Sequence, residues 1–335
     1  MITSMVQGAP VPVTHLTLSN HVINVDITPD IGGRLLGFSL QGRDNFLLVG
    51  DAVAENSAPV VSPQSGHMPY MGHEMWVGPQ SEWWVHQLLN AERNEQRAVW
   101  PPDPYLVLAK NQRVLESNSQ IVLRSPNSPI SGVVMEKTYS LVASNPNQLQ
   151  LDVSVQNIRD TDVRWDTWFN TRVTPATQVY VPVASEQDLR VNNIEDEIHG
   201  PLAYDLSQGI FHLDSQSVPS NKLGRKGKLL IQPSHGWIAA FRAKQLFVIQ
   251  FTHQSYASIH PEQGQVELYL EYPMTEVSAG VLELEVHAPY KTLKPSGIMQ
   301  AQELWTLLPY EGEDSPAAHR AFLRVQAKTL GLGGF

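Results

Sequence analysis

Short stretches in which apolar and polar residues alternate recur along the whole chain, and alternation of period two predicts strands. The cleanest is Val281-Leu282-Glu283-Leu284-Glu285-Val286-His287, where Leu282, Leu284 and Val286 face one way and Glu283, Glu285 and His287 the other. The preceding run repeats the pattern, with Val266, Leu268 and Leu270 on one face and Glu267, Tyr269 and Glu271 on the opposite one. The connection through Pro273–Gly280 is short enough for an antiparallel hairpin, which would set Glu267 near Glu285 or His287 and Glu271 near Glu283. Further runs are Val22–Ile27, Leu35–Leu40, Gln120–Leu123, Val133–Leu141, Gln148–Val155, Val163–Thr174, Leu229–Ile231, Leu246–Thr252 and Gln302–Leu308. Turn residues such as Pro29-Asp30-Ile31-Gly32-Gly33 and Ser144-Asn145-Pro146-Asn147 separate them. Many short strands with few helices between them point to an all-β antiparallel sandwich or large barrel, not to βαβ units.

Helix is scarce. Ser315 can cap, Pro316 fits the first helical position, and Ala318, Phe322 and Val325 make an apolar stripe before Gly331, so a short helix is expected around 315–330, covering a sheet edge or end. A second helix candidate is Glu82–Glu95. No repeat or linker divides the chain, and residues 1–335 read as one domain. The patch Gly224-Arg225-Lys226-Gly227-Lys228 reads as a solvated turn.

Composition narrows the function. A net charge of −10 disfavours a nucleic-acid partner, and no apolar run is long enough to span a bilayer, so neither nucleic acid nor membrane is expected as a partner. The chain has no cysteine, which excludes thiolate metal sites and thiol nucleophiles. No HExxH, GxSxG or GxGxxG is present, and neither a metal nor any other cofactor is expected. The start MITSMVQGAPVPV lacks the basic and apolar regions of a leader, so cytoplasm is the default, although a mature periplasmic form would look the same.

The chemistry-bearing residues fall in two places. Trp76, Trp83, Trp84 and Trp100 crowd one segment, where they suit either a core layer or a platform that stacks on sugar rings. The polar faces of the two paired strands bring together up to four carboxylates, an imidazole and a phenol. That face is either a solvated exterior or a site in which close like charges raise a carboxylate's pKa.

The order of motifs resembles the galactose-mutarotase-like (aldose 1-epimerase-like) superfamily. TPDIGGRLLGFSLQGRDNFLLV resembles its opening hairpin, YMGHEMWVGPQSEWW its Gly…Trp…Pro-Gln segment, RWDTWFNTRV its central Asn-His-x-Tyr-Phe-Asn strand, and LELEVHAPYKTLKPSG the segment holding its catalytic glutamate. The resemblance covers about residues 15 to 309 and is closest to a bacterial branch with no assigned reaction. It implies a β-supersandwich that binds a mono- or oligosaccharide on a concave sheet face. Trp76, Trp83, Trp100 and Trp168 would stack, Gln80, Asp103, Arg172 and Glu285 would hydrogen-bond hydroxyls, and Glu267 and Arg34 would assist. The family's base maps to Glu285, with Glu283 the neighbouring alternative. The strand histidine that serves as its acid corresponds to Asp166, leaving Asp166, His287 or His73 as the acid if there is turnover. Met71 stands where the phosphate-recognising branch has an arginine, which argues against a phosphorylated sugar. Three functions remain open: a carbohydrate-binding protein, an active aldose 1-epimerase, and an interaction module in which the tryptophans are only core.

Overall fold

The alternating runs become two antiparallel sheets in the computed structural model of the protein, which describes residues 12–215, 217, 219–273 and 280–335. The expectations for the N-terminal leader (residues 1–11) and for the hairpin connection (residues 274–279) lie outside the described residues.

The first sheet runs in the order Leu16–Ser19, Ile23–Thr28, Arg34–Leu40, His73–Gly78, Val163–Val173, Val281–His287, Val266–Pro273, Gly224–Ile231 and Leu189–Asn193. The second runs Ala203–Ser207, Ile210–Asp214, Gln178–Pro182, Trp237–Arg242, Gln245–Phe251, Ile298–Pro309, Gln148–Asn157, Val133–Leu141, Gln120–Arg124 and Gln112–Glu116. This is the mutarotase-like all-β sandwich that the motif order implies. One face of each sheet turns inward. Phe38 of the first sheet meets Phe247 and Trp305 of the second at ring-centroid distances of 5.5 and 5.3 Å. The apolar halves of the alternating strands, such as Leu268, Leu282, Leu284 and Val286, join the same continuous cluster. Each fully buried side chain of this size contributes about 1.5–3 kcal/mol, so the inward period-two pattern fixes both register and layer.

The basic patch at 224–228 is not a solvated turn. It opens the eight-residue strand Gly224–Ile231, whose glycines break the alternation that would have announced it. Gly227 permits that strand to approach its neighbour, since a Cβ there would lie 2.6 Å from the Asn192 carbonyl oxygen.

The C-terminal helix, Pro316–Leu330, is capped by Ser315, whose hydroxyl accepts from the Ala318 N–H at 3.3 Å, and ends at Gly331 with φ 70°. Leu323, Ala327 and Leu330 cover a sheet face, packing against Tyr180, Trp237 and Phe241 on the outer side of the second sheet. The expected helix Glu82–Glu95 does not form. A three-residue 3-10 turn at Gln80–Glu82 and a short helix at Ala91–Glu95 take its place, the latter started by Asn90, which accepts from the Arg93 N–H. Among the described residues no helix is long and apolar enough to cross a membrane.

An antiparallel sheet can leave its second face in water. Here the outer face of the first sheet is roofed by the chain that follows His73–Gly78. Trp83 lies on Trp76 and Trp168, at ring distances of 5.5 and 5.8 Å, and buries polar side chains that the pattern alone left open to solvent.

Candidate functional site

Register carries side chains from five strands onto this roofed face. Glu74 pairs with Asn170, Asn170 with Glu285, and Glu285 with Glu267, so four polar residues form one row across the sheet. The next row reads Arg172, Glu283, Tyr269, Lys228. On the other side come Trp76, Trp168 and His287, then Gly78 and Asp166. Glu267 therefore sits opposite Glu285 as expected, whereas Glu283 faces Tyr269 and not Glu271, because Glu271 pairs with Val281.

The charges on this face form two linked chains. In the first, Glu74 accepts from Arg34 at 2.5 Å and from Arg172, and Arg172 also donates to Glu283 at 2.8 Å. Arg34 donates further to the carbonyls of Met71 and Val107. Burial alone would raise the Glu74 carboxyl, but Arg34 and Arg172 outweigh it and hold Glu74 far below the usual carboxylate range. Arg172 lies 5.1 Å from the Trp76 ring centroid, a cation–π contact that packs the guanidinium against the indole.

In the second chain the Lys228 ammonium bridges two carboxylates, 2.6 Å from Glu267 and 2.9 Å from Glu285, and lies 4.8 Å from the Trp168 ring centroid. The His287 Nδ1 lies 3.2 Å from Asp166 Oδ2 and 3.0 Å from the Gln263 side-chain amide, and its Nε2 is 3.6 Å from Glu267. Burial pulls the imidazole pKa down, but Glu267 and Asp166 outweigh it and lift it to about 9, so His287 is a cation at neutral pH. Glu285 is shifted in the same direction. Burial, with Glu283 and Glu267 adding to it, raises its carboxyl above the ordinary range despite Lys228.

Gly78 lets the second chain close. A Cβ there would fall 2.5 Å from Asp166 Oδ1 and 2.6 Å from Gln263 Nε2.

Several buried polar atoms on this one face have no protein hydrogen-bond partner. They are Glu285 Oε1, both side-chain atoms of Asn170, the indole N–H groups of Trp76 and Trp168, Asp166 Oδ1 and His287 Nε2. Buried polar groups are nearly always satisfied by protein or by water, so a cluster of neighbouring orphans sets this face apart from the rest of the described core. Of these residues, Trp168 lines a cleft of about 170 Å³, together with Gln80, Asn192, Lys228, Glu262, Gln263 and Glu267.

Glu267, Glu285 and His287 bring one ligand atom each within 4.8 Å of the others, a spacing that suits a cation. The Lys228 ammonium already lies against both carboxylates and supplies that charge.

Of the residues expected in the site, Glu285, His287, Asp166, Glu267, Arg172, Arg34, Trp76, Trp168, Trp83 and Gln80 share this face or its cleft. Two, His73 and Asp103, do not take the expected place. His73 points to the inward face, where its Nδ1 lies 2.9 Å from Thr171 Oγ1 and its ring meets Trp305; burial holds it well below the ordinary histidine pKa. Its register is one residue off that of Glu74, which puts it on the other side of the sheet. Asp103 caps the helix Pro104–Val107 and accepts from Tyr105 N, Ser131 N and Ser128 Oγ, so its carboxylate is spent on the fold. Trp100, expected to stack on a ligand, is 47% exposed at the rim and touches Trp76, Trp83 and His67. Trp84 turns away, with Arg93 4.4 Å from its ring centroid.

Sequence reading missed Asn170, Lys228 and Glu74 as site residues. The alternation Asp166, Trp168, Asn170, Arg172 within Val163–Val173 was the signal for Asn170, and the same rule applied to Glu74 and Trp76 would have found Glu74.

Residues 13–308 match the family model described as a domain of unknown function, DUF4380. No curated protein matches the chain. Among solved structures, the fold is similar to that of a protein named as a "putative aldose 1-epimerase" from Klebsiella pneumoniae, at 14% identity and a TM-score of 0.53, over 94% of this chain and 82% of that one. It is similar to the Slr1438 protein of Synechocystis sp. PCC 6803 at 13% identity and a TM-score of 0.53, over 91% of this chain and 99% of that one. A galactose mutarotase-like protein from Lactobacillus casei matches at 10% identity and a TM-score of 0.49, over 88% of this chain and all (100%) of that one.

Proposed function

The chain belongs to the DUF4380 family, and we propose that it binds an uncharged monosaccharide on the roofed outer face of its first sheet. The observation that carries this reading is the group of unpartnered buried polar atoms at Glu285, Asn170, Trp76, Trp168, Asp166 and His287. Carboxylate and amide groups beside an indole face are the chemistry that meets ring hydroxyls on one side and ring carbons on the other. The fold, similar to that of a protein named as a "putative aldose 1-epimerase", supports a sugar as the ligand class.

Two features specify the sugar. The cleft of about 170 Å³ is smaller than the roughly 300–1,000 Å³ of drug-sized sites, which favours one ring over an oligosaccharide. Every cation on the face already has an anion: Arg34 and Arg172 have Glu74 and Glu283, Lys228 has Glu267 and Glu285, and His287 has Asp166. A phosphate or uronate would have to break a buried ion pair to find one, so the ligand is neutral. Tryptophan fluorescence, titrated with neutral aldoses, tests this. Saturable change with at least one aldose is expected; a flat response across the set rejects it and favours the interaction-module reading.

A second reading, interconversion of anomers, draws on the pair Glu285 and His287. Glu285 keeps one unpartnered oxygen that takes a hydroxyl proton when its raised carboxyl is ionised, and His287 is a cation whose Nε2 has no hydrogen bond, so it can give a proton to a ring oxygen. His287 would then fill the acid role left open by Asp166, with Asp166 orienting it. Proton-exchange NMR of freshly dissolved α-glucose and α-galactose tests it. Acceleration by the wild type that is lost in Glu285→Gln supports turnover, and no acceleration leaves binding alone.

A further inference from the structure

We propose that Lys228 is a positioning residue that fixes the Glu285 carboxylate and leaves its second oxygen free for the ligand, while Glu267 serves as the anchor. This rests on the sugar-binding reading for the ligand and on geometry for the rest. The two carboxylates are equals in register but not in bonding. Glu267 is saturated: its Oε1 accepts from the Gly264 N–H at 3.0 Å and faces His287 Nε2, and its Oε2 lies 2.6 Å from the Lys228 ammonium. Glu285 is bound on one side only. Its Oε2 accepts from Lys228 at 2.9 Å, and its Oε1 is buried with no partner.

Lys228 reaches Glu285 from two strands away. It stands opposite Tyr269, one row from Glu267, and its ammonium crosses the strand Val266–Pro273 to arrive at Glu285. The Trp168 ring, 4.8 Å from the ammonium, backs it in that position. A flexible four-carbon stem held at both ends and backed by an indole cannot wander, so the carboxylate it holds is fixed as well.

The surroundings make Lys228 necessary. Glu285 is faced by Glu283 and His287 of its own strand, by Glu267 and Tyr269 of the next, by Lys228 beyond that, and by Asp166, Asn170 and Arg172 of Val163–Val173, with Glu74 further along the row. Arg172 is taken up by Glu74 and Glu283, and His287 by Asp166 and Glu267. Lys228 is therefore the cation that touches Glu285 directly. Lys228 works against the burial and the neighbouring Glu283 and Glu267 that raise the Glu285 carboxyl; without it that carboxyl is pushed up further, and a protonated carboxyl with no cation against it is free to rotate its unpartnered oxygen away.

The test follows the Glu285 carboxyl carbon by NMR in protein labelled at glutamate side chains, assigned with Glu285→Gln, beside fluorescence titration with glucose and galactose. In Lys228→Met the Glu285 signal is expected to titrate at a pH higher by at least about one unit, and affinity for the aldose bound by the wild type to fall about tenfold or more. Lys228→Arg, which keeps the charge, is expected to restore most of both. If Lys228→Met does not fold, Glu267→Gln serves instead: it removes one competing anion and should move the Glu285 titration downward. A Glu285 titration unchanged in these variants, or a sugar affinity kept in Lys228→Met, overturns the assignment. If neither sugar binds the wild type, the sugar reading fails alone and the Glu285 titration still decides the role of Lys228.

Discussion

Asp166 Oδ2 lies 3.2 Å from His287 Nδ1, with both side chains fully buried. Asp166 stands at the motif position where the resembling family keeps a histidine. An imidazole approaches the same place from the neighbouring strand Val281–His287, with Asp166 against its Nδ1.

This pair fixes a pH dependence. A buried imidazole lifted to about 9 from its ordinary value near 6.5 contributes stability that is complete below 6.5 and is lost as pH rises through 9. The full shift corresponds to roughly 3 kcal/mol. Glu285, raised above the ordinary carboxylate range, acts in the same direction, since the folded state holds its proton more tightly than the unfolded one. Urea denaturation from pH 6.5 to 10 should show falling stability, with a shallower fall in Asp166→Asn. Equal slopes in both proteins would show that the pair does not set the histidine's charge.

The ion-pair chain Arg34–Glu74–Arg172–Glu283 is a structural requirement of the face. In Glu74→Gln, two buried guanidinium groups lose their shared anion. Breaking a buried pair on one side costs about 3–5 kcal/mol, so urea denaturation should place this variant that far below the wild type. A loss under 1 kcal/mol would mean the chain is hydrated and loosely held.

Selectivity against charge follows from the same pairing. Glucose 6-phosphate and glucuronate are expected to bind at least about tenfold more weakly than the best neutral aldose in calorimetric titrations. Tighter binding of either would show that one of the arginines, or Lys228, releases its partner for the ligand.

His73 provides a contrast. It lies inward between Thr171 and Trp305, away from Glu285. His73→Gln should lower stability by about 1–3 kcal/mol and leave aldose affinity unchanged. A selective loss of sugar binding with stability intact would place the ligand between the sheets.

Much of this arrangement was legible in the chain. The strands Val133–Leu141 and Val281–His287 and the helix after Ser315 were marked by periodicity and caps, and alternation with a short hairpin set Glu267 near Glu285 or His287, of which the register selects Glu285. Burial of the polar face was not legible, because it depends on Trp83 folding back over Trp76 and Trp168, a long-range contact that no local pattern encodes. Lys228 was hidden for a local reason: two glycines and three basic residues look like a turn, and only pairing with Val266–Pro273 makes them a strand. Asp103 misled because a carboxylate before a proline serves equally well as a helix cap, and here Tyr105 N–H takes it.

The direct test of a sugar on this face is Asn170, whose side-chain amide makes no protein hydrogen bond although it sits between Glu74 and Glu285. Asn170→Leu removes no internal partner and exchanges a buried unsatisfied amide for an apolar group, so urea stability should be equal to or higher than that of the wild type. Calorimetric titration of the same protein with the neutral aldose bound by the wild type should show affinity reduced about tenfold or more. Unchanged sugar affinity in a stably folded Asn170→Leu protein would contradict binding at this site.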